Sequence, residues 1–185
     1  MDEQLEFMKL IASRLDSVGI PYMMTGSMAM AIYSIPRMTR DIDLVIELQS
    51  IDIDKIVNLF SKDCYIDRDS VSQAVNSHSM FNIIHNEWVV KADFIIRKSE
   101  EYRREEFSRR QQIVIEDTIV FVVSLEDLVL SKLIWGKESQ SDLQLSDVRQ
   151  MISNVSGLDW KYMIKWAAVL GVDTLLEKEK EKGNG

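Results

Sequence analysis

The sequence predicts an α/β fold, in which a mixed β-sheet is flanked by helices and a C-terminal α-helical bundle follows. Short apolar runs of strand length recur as far as residue 123, and segments with apolar residues at helical spacing lie between them. After Ser124 only the helical spacing continues. We therefore predict a mixed α/β core over residues 1–124 and a helical region over residues 125–185.

Capping residues, prolines and apolar periodicity set the order of the predicted elements. A helix begins at the N-cap Asp2 and ends at Gly19, before Pro21. The other elements follow in order: a strand at 21–25, a helix at 28–33, a strand at 40–48, a helix at 51–62, strands at 80–85 and 88–96, strands at 111–116 and 118–123, and helices at 125–137, 142–155, 159–170 and 172–182. Residues 69–77 fit either a short helix or an active-site loop.

The strand predicted at residues 40–48 has two different faces. Because side chains alternate along a strand, Asp41 and Asp43 share one face, while Ile42 and Leu44 share the other. The apolar face is suited to the core. The two aspartates are therefore expected on the opposite side, where they are available for binding.

The composition and net charge of the chain exclude some classes of protein. The chain has 185 residues, with 22 Lys and Arg against 30 Asp and Glu, and its formal net charge is −8. This charge disfavours a protein that coats nucleic acid, which needs a positive surface, but it allows an enzyme that handles one nucleotide through metal ions. A single cysteine, Cys64, excludes an intramolecular disulfide. No secretory signal is recognised, and no apolar run reaches the about 20 residues of a membrane span, so we expect a cytoplasmic protein without a membrane partner.

Three carboxylates form the centre of the candidate site. Asp41 and Asp43 lie two positions apart, and Asp93 lies in the second apolar run, EWVVKADFII, at residues 87–96. Carboxylate oxygens are ligands that Mg²⁺ prefers, and a pair of such ions can stabilise both the attacking and the leaving oxygen of a phosphoryl transfer. We therefore predict that the three aspartates hold Mg²⁺, with Asp93 acting as a ligand or as the base.

Lys91 and the Gly26-Ser27 turn are candidates for binding phosphate. Lys91 projects from the same strand face as Asp93, Gly26 allows close backbone approach, and Ser27 offers a hydroxyl and an amide at a helix start. Each feature alone has an ordinary interpretation: a solvated strand face, a Gly-Ser turn, or a partly buried Lys91–Asp93 ion pair. A carboxylate in an apolar strand, however, costs free energy unless it is paired or ligated. The combination favours a site for metal and phosphate.

In this order, Gly26-Ser27, Asp41 with Asp43, and then Asp93, the sequence resembles the nucleotidyltransferase superfamily with a polymerase-β-like core. The resemblance implies a nucleotidyltransferase-like fold. It also implies magnesium-dependent transfer of a nucleoside monophosphate from an NTP to an acceptor, with release of pyrophosphate. The helical region at 125–185 would then complete the nucleotide site.

More narrowly, the sequence resembles the AbiEii and MenT type of nucleotidyltransferase, which are toxins of toxin–antitoxin systems. The motif R-x-[ST]-x-D-x-D is matched at residues 37–43, which include Arg40 as a nucleotide-binding candidate, and K-x-D is matched at residues 91–93. The resemblance implies that Lys132 contacts the triphosphate. It also implies an aspartate on the next helix at the nucleotide, for which Asp147 is preferred and Asp142 is the competitor.

Without the resemblance, Lys132 would be interpreted as a solvated or snorkelling lysine and Asp147 as a surface residue. The acceptor stays open. The resemblance favours a toxin that modifies tRNA 3′ ends and has a cognate antitoxin. The alternatives are an antibiotic or protein nucleotidyltransferase and a catalytically silent nucleotide-binding module. The acidic net charge favours the antibiotic, as a small-molecule acceptor.

The segment from Arg97 to Arg110 contains six basic residues and four glutamates. It fits either a solvated charged helix or a basic rim that guides an RNA end or a triphosphate. Tyr102 and Phe107 would favour the second interpretation only if they are exposed beside the arginines. Cys64 is expected to be a small core residue.

Overall fold

The computed structural model describes residues 3–34 and 41–183, and these residues divide into two compact units. The first unit contains the described residues of the ranges 1–25 and 38–122, and the second contains those of 26–37 and 123–185. The elements in chain order are α1 (Glu3–Ser17), β1 (Tyr22–Thr25), α2 (Gly26–Tyr33), β2 (Asp41–Ile46), α3 (Ile53–Phe60), β3 (Cys64–Tyr65), α4 (Arg68–Ser77), β4 (Met80–His85), β5 (Lys91–Ile96), α5 (Glu101–Ser108), β6 (Gln111–Ile115), β7 (Thr118–Val122), α6 (Leu125–Ser139), α7 (Asp142–Asn154), α8 (Trp160–Leu170) and α9 (Asp173–Gly183).

The first unit is built on a seven-stranded sheet with the order β3-β4-β5-β2-β1-β7-β6. The β2–β5 and β1–β7 pairs are parallel, and the other pairs are antiparallel. The sheet is therefore mixed, as predicted.

One face of the central strands forms the core of this unit. Ile42 and Leu44 of β2 are 0% and 1% exposed, and Phe94 of β5, which lies opposite Leu44, is fully buried. Phe81 of β4 stacks on Phe94 with ring centroids 5.1 Å apart. Because these apolar side chains occupy one face, the intervening residues of β2 and β5 must project from the other.

The second unit consists of α2 and the four C-terminal helices. Ser124 caps the start of α6: its Oγ accepts from the Asp127 amide and donates to Asp127 Oδ2 at 2.6 Å. The Tyr162 hydroxyl donates to the other oxygen of Asp127 at 2.7 Å, which joins α8 to the start of α6. The fully buried residues Leu133, Val148 and Met163 contribute to the apolar core.

The order of elements agrees with the sequence prediction, with four local differences. Residues 68–77, for which helix and loop were both open, form α4. A 3-10 turn at Ser50–Asp52 precedes α3. The strand after β4 begins at Lys91 rather than at residue 88, because Val89 has a φ of 55° and the turn is longer than Asn86-Glu87. The two-residue β3 was not predicted, since it is too short to show a period.

The basic segment forms α5, and its aromatic residues are buried. Tyr102 is 3% exposed and Phe107 is 5% exposed. The condition under which these aromatic residues would favour a basic rim is therefore not met. None of the helices in the described ranges is both long enough and apolar enough to cross a membrane.

Candidate active site

The parallel pairing of β2 with β5 brings four of the predicted site residues into register. Asp43 lies directly opposite Asp93, and Asp41 lies opposite Lys91. Residues that face each other across paired strands project to the same side of a sheet. All four side chains therefore lie on one sheet face, the face that the alternation in β2 predicted for Asp41 and Asp43.

A row of polar residues crosses four neighbouring strands at this position. Thr25, the last residue of β1, lies opposite Asp43, and Asn82 of β4 lies opposite Asp93. We call Thr25, Asp43, Asp93 and Asn82 the polar row. Neither Thr25 nor Asn82 was predicted from the sequence as a site residue. The available signals were that Thr25 directly precedes Gly26 and that Asn82 is the one polar residue within the apolar run MFNII.

The ammonium group of Lys91 lies between two of the carboxylates. Its Nζ donates to Asp93 Oδ2 at 2.9 Å and lies 3.4 Å from Asp41 Oδ2. The hydrogen bond to Asp93 and the negative charge of both carboxylates raise the pKa of Lys91 above its ordinary value. Lys91 is therefore a counter-ion for this face, and the Lys91–Asp93 ion pair considered from the sequence is present.

Asp93 is the most buried of these carboxylates, and only one of its two oxygens has a hydrogen-bond partner. The residue is 7% exposed, and while Oδ2 accepts from Lys91, the buried Oδ1 has no hydrogen-bond partner. A buried acceptor without a partner costs about 1–3 kcal/mol, and more when it is charged. This oxygen is therefore a position where a cation or a hydrogen-bond donor would lower the free energy.

The donor atoms of the three aspartates are of the type that a magnesium ion prefers. Asp41, Asp43 and Asp93 offer hard carboxylate oxygens from one sheet face, and Asp93 has an unpaired oxygen. Within residues 3–34 and 41–183, however, no three His, Cys, Asp or Glu side chains are assembled as a metal site. The Lys91 ammonium lies against Asp41 and Asp93 instead and offsets part of their negative charge.

Gly26 and Ser27 begin α2 in the second unit. Gly26 has a φ of 68°, a left-handed conformation that glycine adopts without strain, and it turns the chain directly from β1 into the helix. Ser27 is 8% exposed and lies in the first turn of α2. The predicted turn and helix start are therefore both present.

Lys132 is fully buried, at 0% exposure. From α6 its Nζ donates to Asp147 Oδ2 at 2.7 Å and to Gln144 Oε1 at 2.9 Å, both on α7. The interpretation of Lys132 as a solvated lysine was therefore wrong. Spacing alone could not reveal the pair, because its partners lie on another helix.

Asp147 and Asp142 differ clearly in their surroundings. Asp147 is 1% exposed and forms the ion pair with Lys132, whereas Asp142 is exposed in the first turn of α7. The interpretation of Asp147 as an ordinary surface residue was wrong. The motif at residues 37–40, including Arg40, lies outside the described residues.

Comparison with known proteins finds solved structures with a similar fold. No protein-family model and no curated protein matches the sequence. An antigenic nucleotidyltransferase-like protein from Paracoccidioides brasiliensis is 17% identical, over 97% of this chain and 93% of its own, with a TM-score of 0.60. The antibiotic-resistance factor ANT(2″)-Ia is 14% identical, over 98% of this chain and 100% of its own, with a TM-score of 0.57. The fold is nucleotidyltransferase-like.

A third solved structure has the same nucleotidyltransferase-like fold. The lincosamide antibiotic adenylyltransferase LnuA, with lincomycin bound, is 11% identical over 84% of this chain and 98% of its own, with a TM-score of 0.55. At such identities the likeness establishes the fold, whereas the activity has to be argued from the residues themselves.

Proposed function

We propose that the protein is a magnesium-dependent nucleotidyltransferase, which transfers a nucleoside monophosphate from an NTP to an acceptor and releases pyrophosphate. The observation that carries the proposal is the register of β2 and β5, in which Asp43 faces Asp93 and Asp41 faces Lys91 on one sheet face. The nucleotidyltransferase-like fold supports it.

The proposed reaction is an in-line displacement at the α-phosphorus. The acceptor hydroxyl forms a new bond to phosphorus, the bond from phosphorus to the bridging oxygen breaks, and the electron pair leaves with pyrophosphate. Asp93 takes the proton of the hydroxyl if it acts as the base. If Asp93 is instead a metal ligand, the proton passes to water.

Asp41, Asp43 and Asp93 are the residues that would hold Mg²⁺, as a pair of ions. The metal, when bound, neutralises phosphate oxygens and polarises the reacting oxygens. The unpaired Oδ1 of Asp93 supports this role. Lys91, which forms ion pairs with Asp41 and Asp93, would then be available to a phosphate oxygen.

The remaining candidates are proposed for the nucleotide. Gly26 and Ser27 would bind phosphate through the backbone and hydroxyl at the start of α2, and Lys132 would contact the triphosphate. We propose Asp147 for placing the nucleotide, and its pairing with Lys132 favours it over the exposed Asp142. Arg40 completes the proposed nucleotide-binding set.

We propose that the acceptor is the 3′ end of tRNA. We also propose that the protein is a toxin with a cognate antitoxin. The basis is the match to the toxin motifs at residues 37–43 and 91–93. The competing acceptor is an antibiotic. It is favoured by the fold match with ANT(2″)-Ia, which has also been solved with adenylyl-2″-tobramycin, and by the net charge of −8.

A catalytically silent nucleotide-binding module is the third candidate. The observation that favours it is the Lys91 ammonium, which already occupies the space between Asp41 and Asp93. If this ion pair does not open for a metal ion, the protein would bind NTP without transferring it.

The test is a transfer assay with α-labelled NTPs, Mg²⁺ and, separately, total tRNA, protein, an aminoglycoside and a lincosamide. We expect label on tRNA, and Asp43→Asn should lower the rate at least about 100-fold, because a lost metal ligand removes several kcal/mol of transition-state stabilisation. Asp69→Asn, an exposed aspartate of α4, is the matched control and should leave the rate unchanged.

The outcomes separate the candidates. Label on an antibiotic or on protein would replace the tRNA acceptor but keep the transferase. Nucleotide binding without transfer to any acceptor would support the silent module. Equal rates for Asp43→Asn and the wild type would contradict the proposed metal site.

A further inference from the structure

We propose that two copies of this chain associate through the edge strand β6, in an antiparallel pairing whose two-fold axis passes through Ile113. The two sheets would then continue into each other. This inference does not depend on the proposed catalytic function.

β6 is an edge strand without the usual protection. It is the last strand of the sheet, and among the described residues it pairs with β7 alone. Its five residues, QQIVI, include no charge and no proline, and Gln111, Gln112 and Val114 are exposed. Natural edge strands are protected from pairing by lysine, by proline or by a covering element. An unprotected edge of this kind presents backbone groups that another strand can bind.

The charges on either side of β6 select a second copy as the partner. Arg109 and Arg110 precede the strand, and Glu116 and Asp117 follow it. The strand ends at Ile115, and Glu116 and Asp117 form the turn to β7. An antiparallel pairing centred on Ile113 therefore brings the basic end of one β6, at Arg109 and Arg110, beside the acidic turn of the other copy. A parallel pairing would place like charges together. The segment is therefore complementary to itself in one orientation.

The acidic end of this segment is open to a partner. The side chains of Glu116 and Asp117 are 58% and 83% exposed, and their contacts with Lys9, at 2.7 and 3.4 Å, leave most of that surface uncovered. The guanidinium of Arg110 donates to the Phe107 carbonyl and packs 4.4 Å from the Phe107 ring, so a substitution of Arg110 would also disturb this contact. The charge variants are therefore made at Arg109 and Asp117.

Apolar surface supports the same arrangement. Val114 is 70% exposed and lies opposite Ile119 of β7, which is 45% exposed. Pairing of two β6 strands would bring both copies of this apolar pair onto one continuous face. A contact made by one strand from each copy is small, so we expect a weak dimer that dissociates on dilution.

The dimer would leave the candidate active site open. β7 and β1 separate β6 from β2, so at about 4.8 Å per strand Asp43 lies about 14 Å from the proposed interface. Dimerisation and activity can therefore be measured separately.

Cysteine cross-linking tests the register directly. In the proposed pairing Gln112 lies opposite Val114 of the other copy, with Cα atoms about 4.5–5.5 Å apart, which is within disulfide range. Gln112→Cys and Val114→Cys should form a disulfide-linked dimer when mixed under oxidation, and neither should do so alone, because identical positions are offset by two residues. Both positions are exposed, and the native Cys64 is buried, with its pKa raised to about 12 chiefly by burial.

A charge swap provides the second test. Arg109→Glu and Asp117→Lys should each raise the dimer dissociation constant at least about fivefold, because each places like charges in both contacts, and an equimolar mixture should recover the wild-type value. Sedimentation equilibrium at protein concentrations up to about 1 mM measures the dissociation constant. Val169→Lys, which changes the charge at an exposed position of α8 outside the proposed interface, is the control and should leave the dimer dissociation constant unchanged.

The results can overturn the proposal in distinct ways. A wild-type chain that stays monomeric at about 1 mM contradicts it. A dimer in which Gln112→Cys cross-links by itself shows another register or another interface. Equal dissociation constants for the wild type and both charge variants would remove the proposed charge pairing.

Discussion

Lys132 shows what one buried charge costs and what keeps it in place. Its ammonium is 0% exposed and has Asp147 and Gln144 as hydrogen-bond partners within the same unit. An ion pair removed from water gains little net free energy, but breaking it by removing one partner is expensive, because the other charge stays buried. Each member of the pair therefore keeps the other from being a buried unpaired charge, whatever role Lys132 has towards a nucleotide.

Removal of one member of this pair should destabilise the protein strongly. We expect Lys132→Met to lower the free energy of unfolding by about 3–5 kcal/mol. The double variant Lys132→Met/Asp147→Leu should lie closer to the wild type, because both charges of this ion pair are then removed together. Urea unfolding of the single and double variants measures both values.

The control for this prediction is Lys161→Met, at an exposed position of α8. It should change stability by no more than about 0.5 kcal/mol. If Lys132→Met were as harmless as Lys161→Met, the burial of the Lys132–Asp147 pair would be contradicted.

At the scale of elements, one ion pair connects α1 to the residue that precedes β3. Arg14 donates to Asp63 at 2.7 Å, and the guanidinium lowers the pKa of the Asp63 carboxyl below its usual value. Because the folded pKa is lower than the unfolded one, this contribution is fully present above the unfolded pKa, about 3.9. It is lost as the pH falls through the folded pKa.

Asp63→Asn should therefore destabilise the protein by about 1 kcal/mol at pH 7, and the difference from the wild type should shrink as the pH falls below about 4. Urea unfolding as a function of pH measures the difference. Asp69→Asn, at an exposed position of α4, is the control and should change stability by no more than about 0.5 kcal/mol at pH 7. A constant gap for Asp63→Asn down to acidic pH would contradict the ionic role of Asp63.

Local patterns predicted the elements better than the contacts between them. The alternation in β2 determines which face carries Asp41 and Asp43, since Ile42 and Leu44 need burial. The position of Asn82 opposite Asp93 depends on the register of β4 with β5, which no residue within either strand specifies by itself. The three carboxylates of the candidate site were therefore predicted from the sequence, whereas Thr25 and Asn82 of the polar row were not.

At the scale of the whole molecule, the mixed sheet was predictable and its strand order was not. Apolar periodicity separates strands from helices along the chain. The parallel pairing of β1 with β7, however, joins Met24 to Val122, and such a long-range contact depends on packing that a single sequence does not reveal. The same limit explains why the Lys132–Asp147 pair was missed, although both residues were selected.

Ligand binding should be visible in the stability of the whole protein before any acceptor is known. A ligand that binds only the folded state at 100 times its dissociation constant stabilises it by about 2.7 kcal/mol, which for a protein of this size raises Tm by roughly 5–11 °C. We expect such a shift with NTP and Mg²⁺ together and a smaller one with NTP alone, measured by differential scanning calorimetry. Asp43→Asn should lose the magnesium-dependent part, whereas Asp69→Asn should keep it. A shift that is equal with and without Mg²⁺ would contradict metal binding at the carboxylates while leaving nucleotide binding intact, as expected for the silent module.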